Sequence, residues 1–344
     1  MTYTHTDTDL WQIDAEDFPR QGTPDDRLKF LLRYAILAPS VYNTQPWIFS
    51  VDGDTIQVFI DTTRWVQSGD KDQRDLYLSV GCALENLLVA AYHFGYRCQV
   101  DYFPSPTHPM LAATVRLATG EANISPGADP LFEAILHRST DHHIFSAEPV
   151  PAHTIHQLTG CCTQMGVVLH TTTDRELLRH VDALTLQADA VKFADPAYRK
   201  VIAYCIKQGV FDTDWLLTKL SQLAASHLRH SSNQVKEEFQ ILKGAPVLGI
   251  LVSETDDLTT QLKVGQVFER IFLASVSLGL RVEPITHVLQ VPETRAALAK
   301  LPLVHGLIPQ ILFRLGEAEA EPAHTPRRPA EEVLWESAHV ATGR

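Results

Sequence analysis

The sequence predicts an α+β fold made of two related halves joined in one chain, and three observations predict it. At 344 residues the chain exceeds the size at which one hydrophobic core usually keeps growing. Helical segments and short alternating strands both occur along its length. And one segment recurs: Val80-Gly81-Cys82-Ala83-Leu84-Glu85-Asn86-Leu87-Leu88-Val89-Ala90, continuing to Gly95-Tyr96-Arg97, lies on Val264-Gly265-Gln266-Val267-Phe268-Glu269-Arg270-Ile271-Phe272-Leu273-Ala274, continuing to Gly279-Leu280-Arg281. Val, Gly, Glu, Ala, Gly and Arg coincide without a gap. An offset of about half the chain reads as duplication and fusion of one unit, not as a solenoid. Two buried helices with C-terminal glycines that only look alike are the plainer alternative. A fused pair imitates a symmetric dimer, with a ligand cleft expected where the halves meet.

The elements follow in order. A helix starts at Thr23-Pro24-Asp25-Asp26, where Thr23 caps, Pro24 suits the first turn and the acids complement the dipole; it runs to Ala35 and Pro39 ends it. Trp47 to Val51 and Thr55 to Ile60 alternate around Asp52-Gly53-Asp54 and read as a hairpin. The segment Asp75 to Phe94 is apolar nearly all round and stops at Gly95, so it is a buried core helix. Strands follow at Tyr96 to Phe103 and Leu111 to Leu117, then a junction of small and polar residues, Ala118 to Asp129. Beyond it come helices at Pro130 to His137 and His153 to Gln164, a strand at Val167 to Thr171, and a long helical region, Asp174 to Lys243, broken near Asp195-Pro196, Gly209 and Ser231-Ser232-Asn233. A buried strand (Val247 to Val252), a helix (Leu258 to Leu278), a short helix after Pro292 and a strand (Gln310 to Leu315) precede a Pro- and Arg-containing tail.

Composition narrows the function. Twenty-nine basic against 41 acidic side chains give a net charge of −12, which argues against a broad footprint on nucleic acid or anionic membrane. Any phosphate must be held by a local cluster of Arg and backbone N–H groups. Five cysteines without a CxxC pair fit reduced thiols in a cytoplasm. No stretch has membrane-spanning length without charges. GxGxxG after a strand, GxxxxGK[ST] and GxSxG are all missing, so Rossmann, P-loop and α/β-hydrolase chemistry lack their marks.

Four segments could carry chemistry. In Ala38-Pro39-Ser40-Val41-Tyr42-Asn43-Thr44-Gln45-Pro46-Trp47, polar side chains on a loop between helix and strand suit the edge of a planar heterocycle, although a turn cluster of self-capping side chains has the same composition. Arg138-Ser139-Thr140-Asp141-His142-His143-Ile144-Phe145 offers one fixed charge and two imidazoles. Adjacent histidines in extended chain point to opposite faces, and no acid or Cys completes a ligand set, which disfavours a metal. Arg281-Val282-Glu283-Pro284-Ile285-Thr286 is a helix exit with a Pro turn. Pro326-Arg327-Arg328-Pro329 is a basic pair that would ordinarily be a solvated tail.

The first of these resembles the Ala-Pro-Ser-x-x-Asn-x-Gln-Pro-Trp loop of the nitroreductase superfamily, and the chain is similar to its Acg-like two-domain NAD(P)H nitroreductases from about Leu28 to Leu334, least well over Asp174 to Lys243. The resemblance implies two fused nitroreductase-like, FMN-dependent domains forming an intrachain pseudo-dimer with mainly antiparallel sheets packed by helices. Residues 1–125 would carry the flavin-ring loop; residues 126–344 would carry the phosphate element, a lid-like helical insertion (174–243) and the Arg tail. It further implies FMN contacts for Ser40, Asn43 and Gln45 at the ring, and for Arg138, Thr140 and His142 at the phosphate and ribityl chain, where the family's Arg-x-Thr-x-Arg-Arg-x-Phe element has arginines in place of His142 and His143. Pro284, Ile285 and Thr286 would present backbone N–H groups to flavin N5, and Arg327 and Arg328 would close on the phosphate. The ring loop survives only in the first half and the phosphate element only in the second, which leaves one complete cleft. The implied activity is ping-pong hydride transfer from NAD(P)H to a nitroaromatic, quinone or enone, with the flavin carrying the chemistry; the rival is a flavin-binding protein whose lid prevents turnover. Monomer and loose homodimer both fit a pseudo-dimer.

Overall fold

The computed structural model describes residues 9–119, 129–143, 145–211, 213–227, 246–318 and 323–335. Helix α1 (Pro24–Ala35) opens with a reciprocal capping box between Thr23 and Asp26, which satisfies backbone N–H groups that a helix start leaves orphaned. Strands β1 (Trp47–Asp52) and β2 (Thr55–Ile60) pair antiparallel around Gly53 at φ +61. Helix α2 (Arg74–His93), β3 (Tyr96–Tyr102) and β4 (Leu111–Thr119) complete the front part. Then follow α3 (Pro130–His137), α4 (Ala152–Thr159), β5 (Val167–Thr172), α5 (Arg175–Ala194), α6 (Pro196–Lys207), α7 (Thr213–His227), β6 (Val247–Ser253), α8 (Leu258–Ser277), β7 (Arg281–Pro284), α9 (His287–Gln290), α10 (Pro292–Leu298), β8 (Ile308–Gly316) and β9 (Leu334–Trp335).

Two sheets result. The first has the order β3-β4-β2-β1-β9 and the second β5-β6-β8-β7. All pairings are antiparallel except β1 with β9, where the tail returns to the first sheet with Phe49 opposite Leu334. The fold is therefore mixed α+β with antiparallel-dominated sheets. Strand β6 is buried at every position because it is covered on both faces: Val247 and Leu251 enter the main core, while Leu248, Ile250 and Val252 join Leu178, Val181 and Leu184 of α5 in a second cluster, the period-two division of a strand.

The recurring segments form α2 and α8, and these helices cross in direct backbone contact. A Cβ on Gly81 would run into the Leu262 carbonyl and stand 3.0 Å from the Gly265 Cα, and a Cβ on Gly265 would run into the Leu78 carbonyl. The aligned glycines thus touch each other, and each meets the carbonyl three residues before the other, the reciprocity of a two-fold contact.

Several expectations are corrected. The helix expected over His153 to Gln164 ends at Thr159, with Gly160 at its C-cap. Gln310 to Leu315 is not the last strand, since β9 follows, and Arg281 to Pro284 is a strand and not only a helix exit. Strand β7 lies at the edge of its sheet, where Pro284 needs no ladder donor. Most of the junction Ala118 to Asp129, and the break near Ser231, lie outside the described residues.

Candidate functional site

A cleft with about 1280 Å³ of empty space, partly open to solvent, is lined by the α1–β1 loop (Pro39 to Asn43), α2 (Asp75 to Cys82), Arg138 to Thr140 with His142, Glu283 to His287, side chains of α5 and of the α6–α7 region, and the tail (Ala323, Thr325, Arg327). Of the residues singled out in the sequence, Ser40, Asn43, Arg138, Thr140, His142, Pro284, Ile285, Thr286 and Arg327 meet here.

The loop is locally strained. Tyr42, Asn43 and Gln45 adopt φ of 52, 54 and 49, a left-handed region that is uncommon for residues other than glycine. Hydrogen bonds hold it: Val41 N donates to Ser79 Oγ (3.2 Å) and Gln45 N to Ser40 Oγ (2.9 Å). The Tyr42 hydroxyl donates to Gln290 Oε1 (3.0 Å) and accepts from Lys192 Nζ (3.3 Å), and its ring packs so tightly on Gly69 that no side chain fits there. Burial lowers the Lys192 ammonium to about 8 against the pull of Asp75, Asp70 and Asp189.

Asn43 binds the tail through both ends of its amide: Nδ2 donates to Pro326 O (2.8 Å), and Oδ1 accepts from Arg327 Nη1 (3.0 Å). That places Arg327 beside Arg138. Both guanidinium groups donate to the Leu37 carbonyl, at 3.1 and 3.0 Å, and both lie over the Trp11 ring, at 4.7 and 5.7 Å from its centroid, in cation–π contact. Each arginine is 2% exposed. Arg138 Nε stands 3.5 Å from Glu269 Oε1. Burial lowers the pKa of Arg138, Glu269 opposing, but a guanidinium keeps its charge.

His142, expected at the phosphate and ribityl chain, lines the cleft with one ring nitrogen engaged by an acid. Its Nδ1 pairs with Glu283 Oε1 at 2.7 Å, and Glu283 also pairs with Arg314. Burial works to raise the Glu283 carboxyl, yet Arg314 and His142 outweigh it and bring it to about 2. The His142 ring faces Phe211 and Trp215 (5.6 and 6.2 Å), themselves stacked at 4.2 Å. His143 is more exposed and pairs with Asp141. Ile285 N donates to Leu312 O (2.7 Å), so the strand pairing of β7 extends past Pro284 and this amide is not available to a ligand.

Two further residues stand apart from the cleft lining. Gln45 is fully buried, and its Oε1 accepts from Arg328 N (2.7 Å). Arg328 pairs with Asp61 and Glu332 at 3.9 Å. Together they fasten the tail to the loop. Conversely, Trp11, Tyr42, Phe211, Trp215, Lys219 and His287 line the cleft without having been signalled. Lys219 Nζ donates to Asp189 Oδ2 (3.0 Å), and Asp189 Oδ1 meets His287 Nδ1 at 2.5 Å, whose Nε2 meets the Tyr198 hydroxyl at 2.8 Å. A paired Lys, a core His and lone aromatics carry no sequence mark.

A two-sheet α+β protein with a polar loop and two buried cations around one cleft has the build of a small-ligand-binding protein. Along nine-tenths of its length the chain is similar to Mycobacterium tuberculosis proteins that carry a nitroreductase name, as the loop motif suggested. It is 29% identical over 325 residues to "Putative NAD(P)H nitroreductase Rv3131", covering 90% of this chain and 92% of the relative, and 26% identical over 324 residues to "Putative NAD(P)H nitroreductase acg", covering 90% and 95%. No protein-family model matches the chain. Solved structures match more distantly: a nitroreductase with bound FMN from Desulfitobacterium hafniense (TM-score 0.40, 14% identity, 60% of this chain and 97% of that one) and the FMN-dependent nitroreductase NfnB from Mycobacterium smegmatis in complex with NADPH (TM-score 0.37, 14% identity, 60% and 98%).

Proposed function

We propose that this chain is an FMN-dependent oxidoreductase that takes reducing equivalents from NAD(P)H and passes them, in a ping-pong sequence, to a small acceptor such as a nitroaromatic, quinone or enone. The observation that carries the proposal is the convergence, on one cleft, of a polar loop from the front of the chain with two buried arginines from the back. Its residues fit a flavin nucleotide: Arg138 Nε is a buried donor without a hydrogen bond, and Arg138 and Arg327 together supply the charge that a phosphate dianion requires. Ser40 and Thr140 would offer hydroxyls, and the Thr286 backbone would face the ring in place of the amide spent at Ile285. When bound, the flavin supplies hydride acceptance and donation; the chain binds, orients and shields it. The names of the M. tuberculosis relatives agree with this activity.

The reciprocal Gly81–Gly265 contact supports a fused pseudo-dimer, divided into 1–125 and 126–344, with the tail crossing back to the front sheet. A second reading has a specific observation behind it. Thr185, Phe211, Trp215 and Lys219 of the helical insertion line the cleft, and a wall of this kind would admit FMN but refuse a second substrate. Purified protein carrying a flavin absorbance band through gel filtration supports both readings, and a colourless protein that binds no added FMN refutes both. Rapid anaerobic bleaching by NADH or NADPH then supports the enzyme; flavin that stays oxidised under excess donor supports sequestration.

A further inference from the structure

We propose that His142 is a catalytic acid: its Nε2 gives a proton to an acceptor of the quinone class bound in the cleft beside Phe211 and Trp215. The inference deepens the oxidoreductase reading and rests on it for the reductant.

The first support is which ring nitrogen remains. Two histidines line the cleft, His142 and His287. His287 engages both nitrogens, Nδ1 with Asp189 at 2.5 Å and Nε2 with the Tyr198 hydroxyl at 2.8 Å. His142 engages only Nδ1, with Glu283 Oε1 at 2.7 Å, and no hydrogen bond among the described residues takes its Nε2.

The second support is what Glu283 does to that ring. Arg314 of β8 pairs with the other Glu283 oxygen, and Lys219 of α7 adds its charge, so Glu283 stays a carboxylate. A carboxylate only accepts hydrogen bonds. The 2.7 Å contact therefore puts a hydrogen on His142 Nδ1 and leaves Nε2 as the nitrogen that gains and loses a proton, the arrangement in which a carboxylate orients a histidine for proton transfer. A guanidinium at this place could not release a proton near neutral pH; an imidazole can.

The third support is position. Asp141 N donates to Val282 O (3.3 Å), so the segment that carries His142 runs along the edge strand β7, directly before the Pro284 to Thr286 turn. The His142 side chain is 27% exposed, and its ring faces the stacked Phe211 and Trp215, an apolar surface suited to a planar acceptor. In the step, NAD(P)H is oxidised to NAD(P)+ and the quinone gains its hydride equivalent, two electrons and one proton. The His142 Nε2–H bond breaks, and that proton forms the second O–H bond of the hydroquinone. Neutral His142 then regains a proton from water.

The test uses the full chain. Nitrogen NMR of labelled histidine finds the neutral His142 ring protonated at Nδ1. Protein loaded with FMN, reduced anaerobically by NADH or NADPH and mixed with para-benzoquinone in a stopped-flow instrument, reoxidises on the order of 100-fold more slowly in His142→Ala, and added imidazole restores much of the rate. Adding Glu283→Gln to His142→Ala slows reoxidation no further, because Glu283 is a positioning residue that acts through that ring. The ratio of FMN to riboflavin affinity, read by fluorescence titration, is the same in His142→Ala as in the wild type. A neutral ring protonated at Nε2, a variant that reoxidises at the wild-type rate, a slow rate that imidazole does not raise, further slowing in the double variant, or reduced wild type that benzoquinone does not oxidise each overturns the inference and leaves the flavin reading intact. So does a loss of FMN affinity that riboflavin does not share, which would make His142 a phosphate partner. Protein that binds no FMN, or whose FMN takes no electrons from NADH or NADPH, overturns the oxidoreductase reading and this inference with it.

Discussion

Gly81→Ala sets two effects of opposite sign against each other. In an exposed helix interior the change would stabilise by about 1 kcal/mol, because alanine loses less backbone entropy. Here the new methyl would run into the Leu262 carbonyl and come within 3.0 Å of the Gly265 Cα. Overpacking of this size costs roughly 1–3 kcal/mol, and more where no rotamer can yield. Both obstructing atoms belong to backbone, so relief requires separating α2 from α8 along the seam of the main core. The upper end applies, and after the propensity gain the net loss is about 2 kcal/mol. For a chain this large that corresponds to a Tm lower by roughly 3 °C, measured by circular dichroism. Gly265→Ala loses a similar amount, and the double variant loses less than the sum because the first methyl already parts the helices. A Tm for Gly81→Ala equal to or above that of the wild type would refute the close crossing.

Arg327→Ala should weaken FMN binding on the order of 100-fold, as expected for truncating a buried, hydrogen-bonded charge, whereas Arg328→Ala, at a site fastened to Asp61 and Glu332, should change it less than about threefold; fluorescence titration decides, and equal losses contradict the assignment. The Glu283 carboxyl, brought from 4.5 to about 2 by Arg314 and His142 against burial, contributes stability that is present above the ordinary carboxylate range and lost as pH falls from about 4.5 toward 2. That contribution is about 3 kcal/mol, so Glu283→Gln should be less stable at pH 7 and show a flatter acid limb in urea melts; an unchanged limb contradicts it. Trp215→Ala removes half of the stacked pair over His142 and should speed NAD(P)H-driven flavin bleaching if the insertion limits access, as stopped-flow absorbance would show. An unaltered rate would mean that the insertion does not gate the donor.

Patterns that act over a few residues were legible in the sequence. Thr23 with Asp26 marked a helix start, Gly53 a hairpin, and the unbroken apolar run from Val247 to Val252 a buried strand, because capping, turn conformation and short apolar runs are local properties. The matched segments around Gly81 and Gly265 were also legible, although their physical meaning, a backbone contact that leaves no space for a Cβ, required both helices to be in place. Short or edge elements were less visible: β9 has two residues, and β7 ends in a proline that argues against a strand until its edge position is known.

The cleft divides along the same line. The residue order of the loop from Ser40 to Trp47 and the presence of Arg138 and Arg327 are sequence properties, sufficient to suggest a polar edge and a phosphate-binding end. Which groups remain available is a property of tertiary packing. Asn43 spends its amide and Gln45 its Oε1 on the tail, Ile285 spends its N–H on β8, and His142 is turned toward Glu283, each through a partner between 27 and 284 residues away. Local chemistry determined which residues this chain brings to the site; only folding, by choosing their long-range partners, decided which of those groups still face the cleft.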